Sequence, residues 1–164
     1  MINISQLHRY IVRPTLNKIG LGGLAAERLL IGTALEESRL TFIDQIERGG
    51  DKRPGPAFGI YQMERATHDD LWKTYMVGAR SWIAIPVAAL AIGKPDADQM
   101  QGNLYYATAM ARVLYRRAPG VMPDPDDAMA MALYHKKYYN TVFGASDPET
   151  SVINFKLAIK EVKP

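Results

Sequence analysis

The feature that most constrains the fold is helix punctuation: apolar residues recur at helical spacing between proline and glycine breaks, and no strand of convincing length appears. Ser5 caps a first segment that Pro14 interrupts, and Gly20 to Gly23 form a break. From Leu24 onward, Ile31, Leu35 and Ser38 mark one buried face of a helix of roughly four turns. Thr67 and Asp70 have the spacing of a helix N-cap pair, and His68-Asp69-Asp70 read as a first turn. Another helix starts near Asp98, with Met100, Leu104, Ala107, Ala111 and Leu114 on one side and a solvated face of Arg112, Arg116 and Arg117. Ala118-Pro119-Gly120 ends it. Asp124-Pro125 then caps a segment from Asp126 to Tyr139, and Asp147-Pro148-Glu149 repeats the device for the last helix. Residues 39 to 58 are rich in Gly, Pro and charge, which reads as a loop with room for a short hairpin. The expected architecture is mainly α.

At 164 residues the chain suits one domain large enough to bury a core without staples. It has no cysteine, which excludes a disulfide framework and any thiolate ligand or nucleophile. His8, His68 and His135 are scattered without paired-ligand spacing, so neither a metal nor another cofactor is expected. The net charge of +3 suits anionic partners without choosing among them. No recognition-helix pattern points to nucleic acid. Met1 to Gly20 lacks the apolar core of a secretory signal peptide, and the longest apolar run, Trp82 to Ile92, is broken by Pro86 and too short to span a bilayer.

The densest chemistry lies between Ala34 and Trp72. Glu37-Ser38-Arg39-Leu40 ends an apolar helix pattern, and Pro56-Ala57-Phe58-Gly59-Ile60-Tyr61-Gln62 follows about a loop later. Further on come Asn103-Leu104 with Ala107, and an Ala-rich helix reaching Tyr139-Asn140 ahead of Gly144. In this order the pieces resemble the lytic transglycosylase branch of the lysozyme superfamily, especially the compact versions carried by bacteriophage particles. The resemblance spans roughly residues 24 to 144. Pro56 stands where the family's turn has its first Gly, and Arg65 where Pro is usual. The family's Tyr-Asn pair matches either Tyr139-Asn140 or Tyr134-His135, which leaves Tyr134 and Tyr139 as alternative cleft tyrosines.

The resemblance implies a lysozyme-like helical domain with an extended cleft loop, acting on peptidoglycan glycan strands. Glu37 would be general acid and then base, and Ser38, Gly59, Tyr61, Gln62, Tyr139, Asn140 and Tyr134 would meet the substrate. One carboxylate suffices where the sugar's own acetamido group does the work of the second. Glu37 must then carry a proton at rest, which burial beside Leu40, Ile60 and Tyr61 favours. Gln62 offers an uncharged hydrogen-bonding group, and Gly59 a backbone that a glycan can approach. Glu36 points about 100° away around the helix, so one acid of the pair faces the cleft. Tyr105, Tyr106, Tyr115 and Tyr138 are further stacking candidates, half of them expected to be core or surface residues, and Asp44, Glu47 and Asp51 read as loop solvators. The implied setting is a phage virion acting on the host periplasm or wall, with virion proteins as partners. Two other outcomes stay open: a muramidase using water and a second carboxylate, and an inactive virion structural protein.

Overall fold

The computed structural model describes residues 1–46, 54–140 and 147–164, and its architecture is mainly α. Glu47, Asp51 and Gly144 lie outside the described residues.

Helical backbone runs without a break from Ile4 to Lys18, as α1 (Ile4–Leu7), a π-helical turn (His8–Val12) and α2 (Arg13–Lys18). Pro14 therefore does not interrupt the segment. It lacks the N–H that an α-helix would use, and the wider turn before it has Arg13 N–H bonding back to the His8 carbonyl. Asn3, not Ser5, supplies the cap, accepting from the Gln6 N–H.

Helix α3 (Leu24–Ser38) is buried along almost its whole length, rather than on one face. It runs through the centre, with the first segment, α6 (Leu104–Arg117), α7 (Ala128–Tyr138) and α8 (Pro148–Glu161) packed around it. Its two interior charges have partners. Glu27 accepts from Arg13 and lies 2.7 Å from His8 Nε2, while Arg28 donates to the Val162 and Pro125 carbonyls and pairs with Asp126.

Beyond α3, part of the expected loop forms a sheet of three short antiparallel strands in sequence order, β1 (Asp44–Ile46), β2 (Pro54–Phe58) and β3 (Met63–Glu64). Asp44 pairs with Phe58 and Ile46 with Pro54, so β2 spends more residues than β1 between these positions. The irregularity takes up Pro56, which has no N–H for a regular ladder.

Helix α4 (Arg65–Asp70) starts earlier than Thr67, so the Thr67–Asp70 pair lies inside it and His68-Asp69-Asp70 form its last turn. It continues through a π-helical turn, Leu71–Tyr75. The apolar run gives α5 (Ser81–Ala88), with Trp82, Ile85 and Ile92 exposed. No helix among the described residues is long and apolar enough to cross a membrane. The segment near Asp98 is a 3-10 turn, Ala97–Gln101, and α6 begins after it with Asn103 accepting from the Tyr106 N–H. Asp127, one turn past Asp124, caps α7, and Asp147 caps α8. Arg112 departs from the expected solvated face: it is buried and its Nε donates to the Leu21 carbonyl, while Arg116 is exposed.

Candidate active site

Glu37 and Ser38 are the last residues of α3. Ser38 is buried, donating to the Ala34 carbonyl and accepting from the Leu40 N–H, so its hydroxyl closes the helix end and is turned away from any ligand. Arg39 and Leu40 then both adopt left-handed backbone, each at φ 52°. The Gly59 turn contains a third such residue, Gln62 at φ 47°. Among the described residues these three are the non-glycine positions with positive φ, and they fall in the two motifs nearest Glu37 in sequence. Side chains rarely adopt this conformation. Where they do, the surrounding structure enforces it, often beside a functional group.

The adjacent acids have different fates. Glu36 accepts from Ser151 Oγ at 2.7 Å and Asn154 Nδ2 at 2.6 Å, which ties the end of α3 to α8. Glu37 points elsewhere. Its side chain is 16% exposed, and Oε1 lies 3.1 Å from Nε2 of the fully buried His135 on α7. Apart from this close approach, Nε2 has no hydrogen-bond partner among the described residues. The other ring nitrogen, Nδ1, is 2.9 Å from the Tyr115 hydroxyl, which is 2.7 Å from Thr33 Oγ1, and Thr33 donates to the Leu29 carbonyl at 2.8 Å. A buried polar chain thus runs from Glu37 across α7 and α6 and back to α3.

Tyr139 closes the other side. Its ring stacks on His135 with centroids 5.4 Å apart, and its hydroxyl donates to the Tyr61 carbonyl at 2.8 Å. Burial first, and then the charge of Glu37, push the Tyr139 hydroxyl well above the usual phenol range. Burial again dominates at Tyr115, opposed by the Thr33 hydrogen bond and assisted by Glu37. Both phenols are held neutral beside the carboxyl group.

The Tyr61 side chain is in the core, 3.2 Å from Thr108 Oγ1, and cannot stack on a sugar; its backbone carbonyl is what serves Tyr139. Gly59, at φ 71°, is buried against the 3-10 turn before α6, where an added Cβ would fall 2.0 Å from the Met100 carbonyl oxygen. Close packing of two protein backbones, rather than approach of a glycan, accounts for this glycine. The half-buried Gln62 donates from Nε2 to the Gly59 carbonyl at 2.7 Å. Asn140 is half-buried, its N–H bonds to the His135 carbonyl, and its Oδ1 has no partner among the described residues. Tyr134 stacks on Tyr115 and meets Tyr138 edge-on, at centroid distances of 5.7 and 4.7 Å. Of the two candidate tyrosines, Tyr139 joins the Glu37–His135 group. Tyr106 and Tyr115 are core residues, and Tyr105 is exposed.

Sequence reasoning missed His135 and its relay through Tyr115 and Thr33. The signal was present: His135 and Tyr139 are four residues apart, one turn of α7, and so share a face. In the sequence His135 stands out only beside Tyr134, in the place of a family Asn. Among the described residues, no three His, Asp or Glu side chains converge on a metal-sized site. In comparisons with family models, curated proteins and solved structures, nothing matches this chain.

Proposed function

We propose that this chain is a lysozyme-like domain that cleaves peptidoglycan glycan strands by the non-hydrolytic route, with Glu37 as acid and then base. The observation that carries the reading is the position of Glu37. Its carboxyl group is mostly buried but still solvent-reachable, at a strained helix end, among two neutral phenols and an imidazole. A group that gives up and then recovers a proton needs access to substrate together with an environment that limits bulk water.

In this mechanism the Glu37 carboxyl group protonates the oxygen between N-acetylmuramic acid and N-acetylglucosamine. The C1–O4 bond breaks, its electron pair stays on the leaving oxygen, and the acetamido oxygen steadies the developing cation. The Glu37 carboxylate then takes the C6 hydroxyl proton while O6 bonds to C1. A 1,6-anhydro ring results, and Glu37 regains its proton. Water is not consumed. The phage-particle setting and virion partners belong to this proposal through resemblance alone.

The test is incubation of the protein and its Glu37→Gln variant with peptidoglycan sacculi, followed by mass spectrometry of released fragments. The expected result is anhydro-muramyl ends from the unmodified protein, reduced at least about 100-fold in the variant. Reducing ends would replace the proposal with a muramidase and a second carboxylate. No release from either protein would favour a structural role.

A further inference from the structure

The direction of each hydrogen bond behind Glu37 can be deduced from the far end. Thr33 Oγ1 is 2.8 Å from the Leu29 carbonyl, which has no hydrogen to offer, so the hydroxyl proton of Thr33 is used there. Tyr115, 2.7 Å from the same oxygen, must then be the donor to Thr33. Its single hydrogen is now committed, and at 2.9 Å from His135 Nδ1 it must accept. Nδ1 therefore carries a hydrogen. A neutral imidazole has only one, so Nε2 presents a lone pair to Glu37 Oε1 at 3.1 Å.

An ionised Glu37 opposite that nitrogen would set lone pair against lone pair in a buried place. Either the carboxyl group or the ring must carry an additional proton. The ring's other neighbours do not supply it: Tyr115 is already committed, the Tyr139 hydroxyl donates to the Tyr61 carbonyl, and the Phe155 ring from α8 is apolar.

We propose that Glu37 and His135 hold one proton in common, and that His135 is a positioning residue that keeps this proton available for the acid step. The use of the proton rests on the glycan-cleaving reading; its location does not. Rotation of the Glu37 carboxyl group carries the proton from Nε2 to the glycosidic oxygen. The C6 hydroxyl proton restores it afterwards, so the pair ends each cycle with the single proton it began with.

The experiment is nitrogen NMR on protein labelled in its histidine rings, near neutral pH. There are three histidines, and His135→Gln assigns the signal. The expected result is a neutral ring protonated at Nδ1, with an unprotonated Nε2 whose signal moves to the position of a nitrogen that accepts a hydrogen bond; the signal of a free, non-bonded Nε2 overturns the sharing. A persistent imidazolium also places one proton between the groups and supports the sharing, whereas a neutral ring protonated at Nε2 overturns it. Thr33→Val tests the relay from a distance. It removes the acceptor for Tyr115, which is then free to donate to Nδ1, and the ring is expected to switch to the Nε2–H form. An unchanged ring in that variant overturns the relay. On sacculi, His135→Gln is expected to lower kcat for anhydro-end release by about 10-fold or more with little change in KM. Unchanged kcat overturns the positioning role. If the unmodified protein releases no anhydro ends, the glycan reading fails while the NMR result still decides where the proton lies.

Discussion

Glu36 and Glu37 show how much a single position around a helix decides. Both are acids at the end of α3, yet Glu36 is held by Ser151 and Asn154 and Glu37 meets His135. Substituting Glu36→Gln keeps size and loses one charge-assisted acceptor, so it is expected to cost about 1–2 kcal/mol in urea unfolding. Glycan release should stay near the unmodified level. The opposite pattern, normal stability with lost release, would transfer the proposed acid to Glu36. The 100° step between the two was legible from sequence, but their partners were not, because Ser151 and Asn154 lie more than a hundred residues away. Ser38, Tyr61 and Gly59 carry the same lesson. Residue type marked them as special, while the direction of each side chain, set by tertiary contacts, makes them supports of the site. For Gly59→Ala, the positive φ and the overlap with the Met100 carbonyl predict a loss of at least about 2 kcal/mol, read as a lowered urea midpoint.

At the scale of elements, the helices were legible where their signals are local. Asp147-Pro148 starts α8 as expected, and Ala118-Pro119-Gly120 follows the end of α6. The π-helical turns left no such trace, since a carbonyl shared five residues away has no residue signature, and the strands were hidden in a Gly- and Pro-rich stretch. The first π-helical turn matters because it docks on α3 through Glu27. Burial works against ionisation of this carboxyl group, but hydrogen bonds from Arg13 and His8 and the Arg13 charge outweigh it and hold it below the usual range. A folded value below the unfolded one means that the stabilisation is present above about pH 4.3 and is lost as pH falls through the folded value. Glu27→Gln weakens the charge-assisted hydrogen bonds and is therefore expected to lower stability by about 2 kcal/mol near neutral pH. Thermal melts of both proteins across pH should converge as the solution becomes more acidic than the unfolded carboxyl range. A constant gap at all pH values would mean that packing, not charge, is what Glu27 contributes.

For the molecule as a whole, the motif-bearing stretch of roughly residues 24 to 144 understates what the site depends on. Leu7, Val12 and Leu16 from the first segment share one core with Phe155, Ala158 and Val162 from the last. Neither end carries a site motif, so neither stood out in the sequence, yet α8 fixes Glu36 and its Phe155 ring lies 5.8 Å from His135. Phe155 also fills the notch left by Gly32 on α3, where even a Cβ would fall 2.3 Å from the ring. Large-to-small substitution here removes transfer energy and leaves a cavity between α3, α7 and α8, so Phe155→Ala is expected to cost about 3–5 kcal/mol. For a chain of this length that is on the order of 10 °C in melting temperature. Because the core is continuous, far- and near-ultraviolet circular dichroism should report a single shared transition at the lower temperature. If α8 were instead an appendage to a self-sufficient core, helical signal would be lost in a separate early step while the aromatic signal around Tyr115 and Tyr139 persisted. Coincident transitions would establish that the backing of His135, and through it the setting of Glu37, is maintained by the whole fold.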